Sequence, residues 1–201
     1  EGFQGEEIGP ESVACMTKHF PGGGPQKEGL DPHFDFQKGQ VYPGDNLDYH
    51  LVPFEAAIAA NTAAIMPYYG VPLDQTDENV AMACNKSIIT GLLREKYHFD
   101  GIICTDWGLI TDLVTPGFRW PARAWGVEHL TYEERVEKLL KAGVDQFGGE
   151  SCPEYIVDLV NSGKVSEERV DLSLRRVLRL KFQLGLFDNP FISPEISIKV
   201  F

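Results

Sequence analysis

Gly101-Ile-Ile-Cys-Thr-Asp-Trp-Gly108 limits what this chain can fold into more than any other stretch. A short apolar run, Ile102 to Cys104, gives way to a carboxylate, Asp106, with the indole of Trp107 beside it and glycine at either end. Short apolar runs rich in β-branched residues read as strands buried on both faces, the kind found in parallel sheets. Strands in βα repeats present functional groups at their carboxyl ends, where the connecting loops gather on one face. Asp106 is therefore a candidate for display on that face. The competing reading makes it the N-cap of a following helix.

Three other segments share the pattern of an apolar run leading to polar or aromatic groups. Val13–Phe20 ends at Lys18 and His19, Thr62–Gly70 carries Met66 and Tyr69, and Gly143–Gly149 runs into Glu150. Helical segments separate them. Leu47, Leu51, Phe54 and Ile58 recur at helical spacing over 46–61, and Ile88, Leu92 and Tyr97 share one face of 79–97. Thr131 with Glu134 three residues on reads as a capping box opening a helix that runs to Ala142. Two more helices are expected over 153–162 and 166–184. The second carries Val170, Leu174, Val177, Leu178 and Lys181 on or near its buried stripe, with Gly185 closing it. Strand and helix thus alternate at roughly 40 residues per unit, which is α/β architecture built of parallel βα repeats. A closed (β/α)8 barrel takes eight units and typically about 250 residues. With 201 residues and half that number of units, the sheet is either open or part of a TIM-type (β/α)8 barrel.

The connections carry their own signals. Pro21-Gly-Gly-Gly-Pro25 lacks the spacing of a phosphate loop. The long stretch after it holds Asp31-Pro-His33 and Asp35, and its aromatics and prolines favour an ordered loop, which at this length is usually functional. Residues 109–130 hold Phe118, Trp120 and Trp125, either a satellite core or a stacking platform for a flat ligand.

A net charge of −12 argues against nucleic acid and anionic membranes as partners, since both call for basic stripes. No apolar run approaches the roughly 20 residues a bilayer span requires. The four cysteines are scattered without a CxxC pair, so they read as small buried hydrophobes, not as zinc ligands or a disulfide framework. Asp31, His33 and Asp35 are metal-ligand types without a ligand spacing, and no metal or cofactor is expected. The compartment stays open between periplasmic, secreted and cytoplasmic.

In a parallel sheet the four strand ends lie on one side, so their polar groups converge. Sugar chemistry suits that set: a carboxylate can attack an anomeric carbon, Lys and His can bind hydroxyls, and an indole can cover a pyranose face. A nearby cation, Lys18 among the candidates, would hold the nucleophile ionised.

Four stretches carry a specific resemblance: Lys18-His19-Phe20-Pro-Gly-Gly-Gly-Pro25, Ile65-Met-Pro-Tyr-Tyr69, Cys104-Thr-Asp-Trp107 and Arg175-Arg-Val-Leu-Arg-Leu-Lys-Phe-Gln-Leu-Gly-Leu-Phe-Asp188. In these the chain resembles glycoside hydrolase family 3, with wording nearest its bacterial β-glucosidase-like members. The resemblance implies that Asp106 is the nucleophile, that Lys18 and His19 hold the glycone hydroxyls, and that Met66 and Tyr69 flank the same subsite, beside which the Trp107 indole is a candidate substrate contact. It implies a retaining exo-acting β-glycosidase, foremost a β-glucosidase. The family's acid/base Glu commonly lies on a second α/β domain. The N-acetylglucosaminidase branch instead uses an Asp-x-His dyad, which Asp31-Pro-His33 resembles at a slightly greater separation from Lys18. An N-acetylglucosaminidase or a glycoside phosphorylase using that dyad is the alternative, and a non-catalytic sugar-binding half-barrel is the alternative of another class. Residues 1–191 would be the C-terminal part of the family's barrel domain and 192–201 a linker towards a following domain. The partners implied are a small oligosaccharide or an aryl or alkyl β-glycoside and the remaining segments of the same enzyme, with a homodimer left open.

Overall fold

The computed structural model describes residues 1–191 and 194–197. In chain order its elements are β1 (Met16–Phe20), β2 (Gly39–Gln40), α1 (Leu47–Ala59), β3 (Ala64–Pro67), β4 (Val71–Pro72), a π-helix (Ser87–Lys96), β5 (Ile102–Ile103), β6 (Leu113–Thr115), β7 (Phe118–Trp120), α2 (Tyr132–Ala142), α3 (Pro153–Asn161) and α4 (Glu167–Gln183). β1, β3 and β5 form the central parallel sheet in that order, with Met16 and Ile102 both opposite Ala64. β2 and β4 make a small parallel pair, and β6 and β7 an antiparallel hairpin.

Alternation along the strands divides the interior. Ile65 and Ile103 face the main core, shared with Leu51 and Phe54 of α1, Ile88, Ile89 and Leu93 of the π-helix, and Val136 and Leu139 of α2. Fully buried side chains of this kind contribute about 1.5–3 kcal/mol each. Ala64, Ile102 and Cys104 form a second cluster, against which Val177 and Leu180 of α4 pack. Among the cysteines Cys84, Cys104 and Cys152 are buried and unpaired. No helix among the described residues is long and apolar enough to cross a membrane.

Several elements depart from expectation for physical reasons. The strand expected over 143–149 shrinks to a single parallel bridge between Gln146 and Cys104. Gly143 caps α2 in a left-handed conformation and Gly149 is left-handed as well, so few residues between them can stay extended. The helix expected from Asn79 begins only at Ser87, because Asn85 sets its start by accepting from the Ile88 amide at 3.2 Å. The connection over 109–130 contains the β6–β7 hairpin. The linker expected over 192–201 falls mostly outside the described residues, and within it Pro194–Ser197 forms one helical turn.

α4 keeps part of its expected stripe, with Val170 and Val177 packed against the interior, but departs from it at two positions. Leu174 is 51% exposed and Lys181 is exposed too, whereas Ser173 is buried. The partner of that face is Asp145, whose side chain is wholly buried. Asp145 pairs with Arg94 at 2.5 Å and Arg176 at 3.0 Å, and accepts from Ser173 Oγ at 2.8 Å and the Ile103 amide at 3.0 Å. Ion pairs therefore share with apolar packing in setting the orientation of α4. A cavity of about 510 Å³ opens nearby at the amino ends of β3 and β5, with Arg176 and Arg179 in its wall. Both arginines are tied to Asp100, so this is a gap braced by structural ion pairs and not the seat of the chemistry.

Candidate active site

At the carboxyl end of β5 the chain is pinned before it turns. The Thr105 amide donates to the Gln146 carbonyl at 2.9 Å, and the Thr105 hydroxyl accepts from the Gly148 amide at 2.9 Å. Asp106 follows, 9% exposed. Its Oδ1 accepts from the adjacent Trp107 amide at 2.7 Å, and no helix starts in the residues after it, so it caps none. Its Oδ2 is fully buried, lies 3.1 Å from Nε2 of His19 and takes no well-aligned hydrogen bond. Burial alone would raise the carboxyl pKa. The polar atoms of His19, the Trp107 amide and the Tyr69 hydroxyl close by, together with the charge of His19, outweigh it and leave the group below the usual carboxylate range. Of the cations near this strand end, His19 is the one that lies against Asp106. Its neighbour Lys18 is exposed and makes no ion pair among the described residues.

The other expected residues surround this carboxylate in different ways. Tyr69 is buried and donates to the Trp107 carbonyl at 2.5 Å. Burial, with Asp106 beside it, pushes its phenol upward, so it stays a donor. Met66 is buried and sits opposite Lys18 in the β1–β3 register. The indole of Trp107 is 54% exposed. Gly149 makes room for it: a Cβ there would collide with the indole ring, and its φ of 67° disfavours other residues as well. Glu150, expected among the converging groups, is committed elsewhere. Its carboxylate accepts from the Ile110 amide at 2.8 Å and the Thr111 hydroxyl at 2.6 Å, holding the loop that follows Asp106. Arg135 braces the same loop by donating to the Ile110 carbonyl at 2.8 Å.

Asp31 and His33 meet as a dyad, Oδ1 to Nδ1 at 2.6 Å. The His33 ring lies 4.8 Å from that of Tyr69 and 6.2 Å from that of His19, which brings the dyad to the edge of the same cluster. Hydrogen bonds to His33 and Tyr68, with the charge of His33, outweigh burial and hold Asp31 low. Sequence reasoning missed Tyr68, whose hydroxyl donates to Asp31 at 3.2 Å and whose ring lies 5.2 Å from His19. It also missed Arg123, which lies over the rings of Tyr69 and Trp120 at 5.4 and 4.6 Å. Tyr68 was open to discovery as one of two adjacent tyrosines after a strand. Arg123 lies in an aperiodic connection that gave no signal. Among the described residues no group of three or more His, Cys, Asp or Glu is placed to hold a metal ion.

A family model for the Glycosyl hydrolase family 3 N terminal domain matches residues 1–180. The chain belongs to glycosyl hydrolase family 3. A relative in the family, "Probable beta-glucosidase C" of Aspergillus flavus, is 58% identical over 100% of this chain and 32% of its own length. The "Periplasmic beta-glucosidase/beta-xylosidase" of Dickeya chrysanthemi is 38% identical over 92% of this chain and 31% of its own. The fungal relative is thus nearer than this bacterial one, and the chain spans about a third of the length of either. Among solved family 3 structures, the β-glucosidase of Listeria innocua in complex with isofagomine superposes with a TM-score of 0.71 and 25% identity, over 94% of this chain and 24% of that one. The parallel α/β architecture is that of the family's TIM-barrel-like N-terminal domain.

Proposed function

We propose that this domain supplies the nucleophile and much of the sugar pocket of a retaining, exo-acting β-glycosidase, namely a β-glucosidase. The carrying observation is Asp106, a carboxylate held ionised at a strand end with one buried oxygen 3.1 Å from His19 and no aligned donor on it. The Asp106 carboxylate attacks the anomeric carbon, the glycosidic bond breaks, and a second carboxylic acid or its equivalent gives its proton to the departing oxygen. Water then releases the sugar from the ester on Asp106, giving up its proton to the same group. Lys18 and His19 bind the glycone hydroxyls, Met66 and Tyr69 wall the subsite, and Trp107 covers a sugar face. Residues 1–191 belong to the barrel domain, 192–201 serve as a linker, and the remaining segments of the enzyme complete the site. The names of the relatives support glucose as the glycone, and the isofagomine complex of the Listeria innocua enzyme supports a sugar-sized pocket.

The 2.6 Å bond between Asp31 and His33 favours a second reading of the proton donor: His33, oriented by Asp31, in place of a carboxylic acid from another domain. The test of the main reading is trapping of the natural full-length protein with a 2-fluoro β-glucoside, followed by peptide mapping. Label on Asp106 and a loss of turnover on the order of 10³-fold or more in Asp106→Ala are expected. Label on another residue refutes the assignment. A large loss in His33→Ala on unactivated substrates, small on aryl glycosides with good leaving groups, would select the dyad.

A further inference from the structure

We propose that Tyr68 and Gln26 are positioning residues for the Asp31–His33 dyad: Gln26 turns the Tyr68 hydroxyl proton onto Asp31, and Tyr68 keeps the Asp31 carboxylate turned to His33. The inference rests on the second reading above, in which that dyad is the proton donor. The chain of contacts is continuous. Gln26 Nε2 donates to the Tyr68 hydroxyl at 2.9 Å, and that hydroxyl donates to Asp31 Oδ1 at 3.2 Å. The same oxygen accepts from the His33 amide at 2.9 Å and meets His33 Nδ1 at 2.6 Å.

The direction of each proton follows from the chemistry of the groups. A side-chain amide nitrogen only donates, so the phenol oxygen accepts from Gln26 and its own proton is left for Asp31. Burial first, then the charge of Asp31, pushes the Tyr68 phenol up to about 12, so the proton stays on it. The Asp31 side chain is 46% exposed, and water competes for it. Three donors on one oxygen hold that oxygen beside His33, and an ionised Asp31 in turn keeps a proton on Nδ1. That leaves Nε2, which has no hydrogen-bond partner among the described residues, as the ring nitrogen free to exchange a proton with the substrate.

The surroundings hold this chain of contacts in place. Tyr68 is buried, and its backbone amide donates to the Phe20 carbonyl at 2.9 Å. The glycine run over 22–24 lets the loop that carries Gln26 lie against it: a Cβ at Gly23 would come within 3.2 Å of the Tyr68 ring. The run that lacks phosphate-loop spacing thus has a packing purpose. From the other side, Trp125 Nε1 donates to the Pro32 carbonyl at 2.7 Å and Arg123 Nε to the His33 carbonyl at 3.3 Å. The backbone of the dyad is pinned by these two bonds, so what remains to be held is the Asp31 carboxylate. The titratable and charged groups facing the dyad are Tyr68 and Tyr69 after β3, His19 of β1 and Arg123, with Asp106 acting on Tyr68 from the end of β5.

The test uses the natural full-length protein. Tyr68→Phe keeps the ring that lies 5.2 Å from His19 and 5.9 Å from His33, and removes only the hydroxyl. Its kcat/KM on cellobiose should fall roughly three- to tenfold, the weight of one hydrogen bond. On cellobiose both Asp106 and Asp31 must be ionised, and Tyr68 is one of the donors that offset burial and hold Asp31 low, so the acid limb should also move to higher pH. An aryl glucoside with a good leaving group needs no acid to depart, so neither its kcat/KM nor its acid limb should change. In a His33→Ala background Tyr68→Phe should cost nothing further. Equal losses on both substrates, or a full additional loss beside His33→Ala, would overturn the inference. Gln26→Leu leaves every titratable group in place and should give the same pattern at smaller size; a Gln26→Leu enzyme identical to the native one would overturn it as well. Hydrogen exchange separates this inference from the reading it rests on. The His33 amide, bound to Asp31, should exchange faster in Tyr68→Phe whether or not His33 proves to be the proton donor, and unchanged exchange there overturns the inference.

Discussion

Asp106 depends on its neighbours for its charge, and the sign of that dependence can be measured. Burial favours the neutral acid, while His19, the Trp107 amide and the Tyr69 hydroxyl favour the carboxylate and prevail. A group whose folded pKa is depressed contributes stability above its unfolded value and loses it as pH falls through the folded one. The acid limb of kcat/KM, which reports the free enzyme's nucleophile, should therefore lie below the ordinary aspartate range. In His19→Ala one of the opposing contributions is gone and burial remains, so the limb should move to higher pH. A pH–rate profile in which it stays put would show that His19 does not hold the charge. Asp106 was legible because it closes an apolar run. Its pairing with His19 was not, since nothing local connects two strand ends so far apart in the sequence. Lys18 was the more obvious cation on charge alone, and only the direction of the side chains separates it from His19.

Elements show the same division between what periodicity conveys and what it hides. α1, α2 and β3 follow their patterns closely, and the capping box of Thr131 and Glu134 forms as read. α4 follows its pattern only in part: Val170 and Val177 pack inward, while beside them a polar face of Arg169, Ser173 and Arg176 recurs at helical spacing and converges on Asp145. No search for apolar stripes could find it. Burial lowers the Arg94 guanidinium to about 10 while Asp145 opposes that shift, a sign of how far this cluster is removed from water. Asp145→Ala would leave several guanidinium groups buried without their carboxylate and should cost about 3–5 kcal/mol. Urea titration of the natural full-length protein measures it, and a loss under about 1 kcal/mol would place the pair in the class of weak surface bridges instead.

Across the whole molecule, the central sheet is open: among the described residues β1 pairs only with β3, and beyond β5 there is one bridge. Unpaired edges invite association. Residues 1–201 produced alone should therefore be poorly soluble or oligomeric and should not hydrolyse cellobiose. A monomer that melts cooperatively and cleaves cellobiose would refute this, and would leave Asp31 and His33 as the acid/base. The class of architecture was legible because βα alternation repeats along the whole chain, whereas the weakness of the last strand came from glycine conformations that no apolar count registers. β5 is short, yet its two ends have separate owners: ion pairs around Asp145 fix the amino end, and rim loops frame the carboxyl end where Asp106 stands. Selection can thus rework one without disturbing the other. A library confined to the loops around Asp106 should yield variants with altered activity and little change in melting temperature, whereas one at Arg94, Asp145 and Arg176 should lower the melting temperature first, so this domain can diversify in chemistry without first acquiring a reserve of stability.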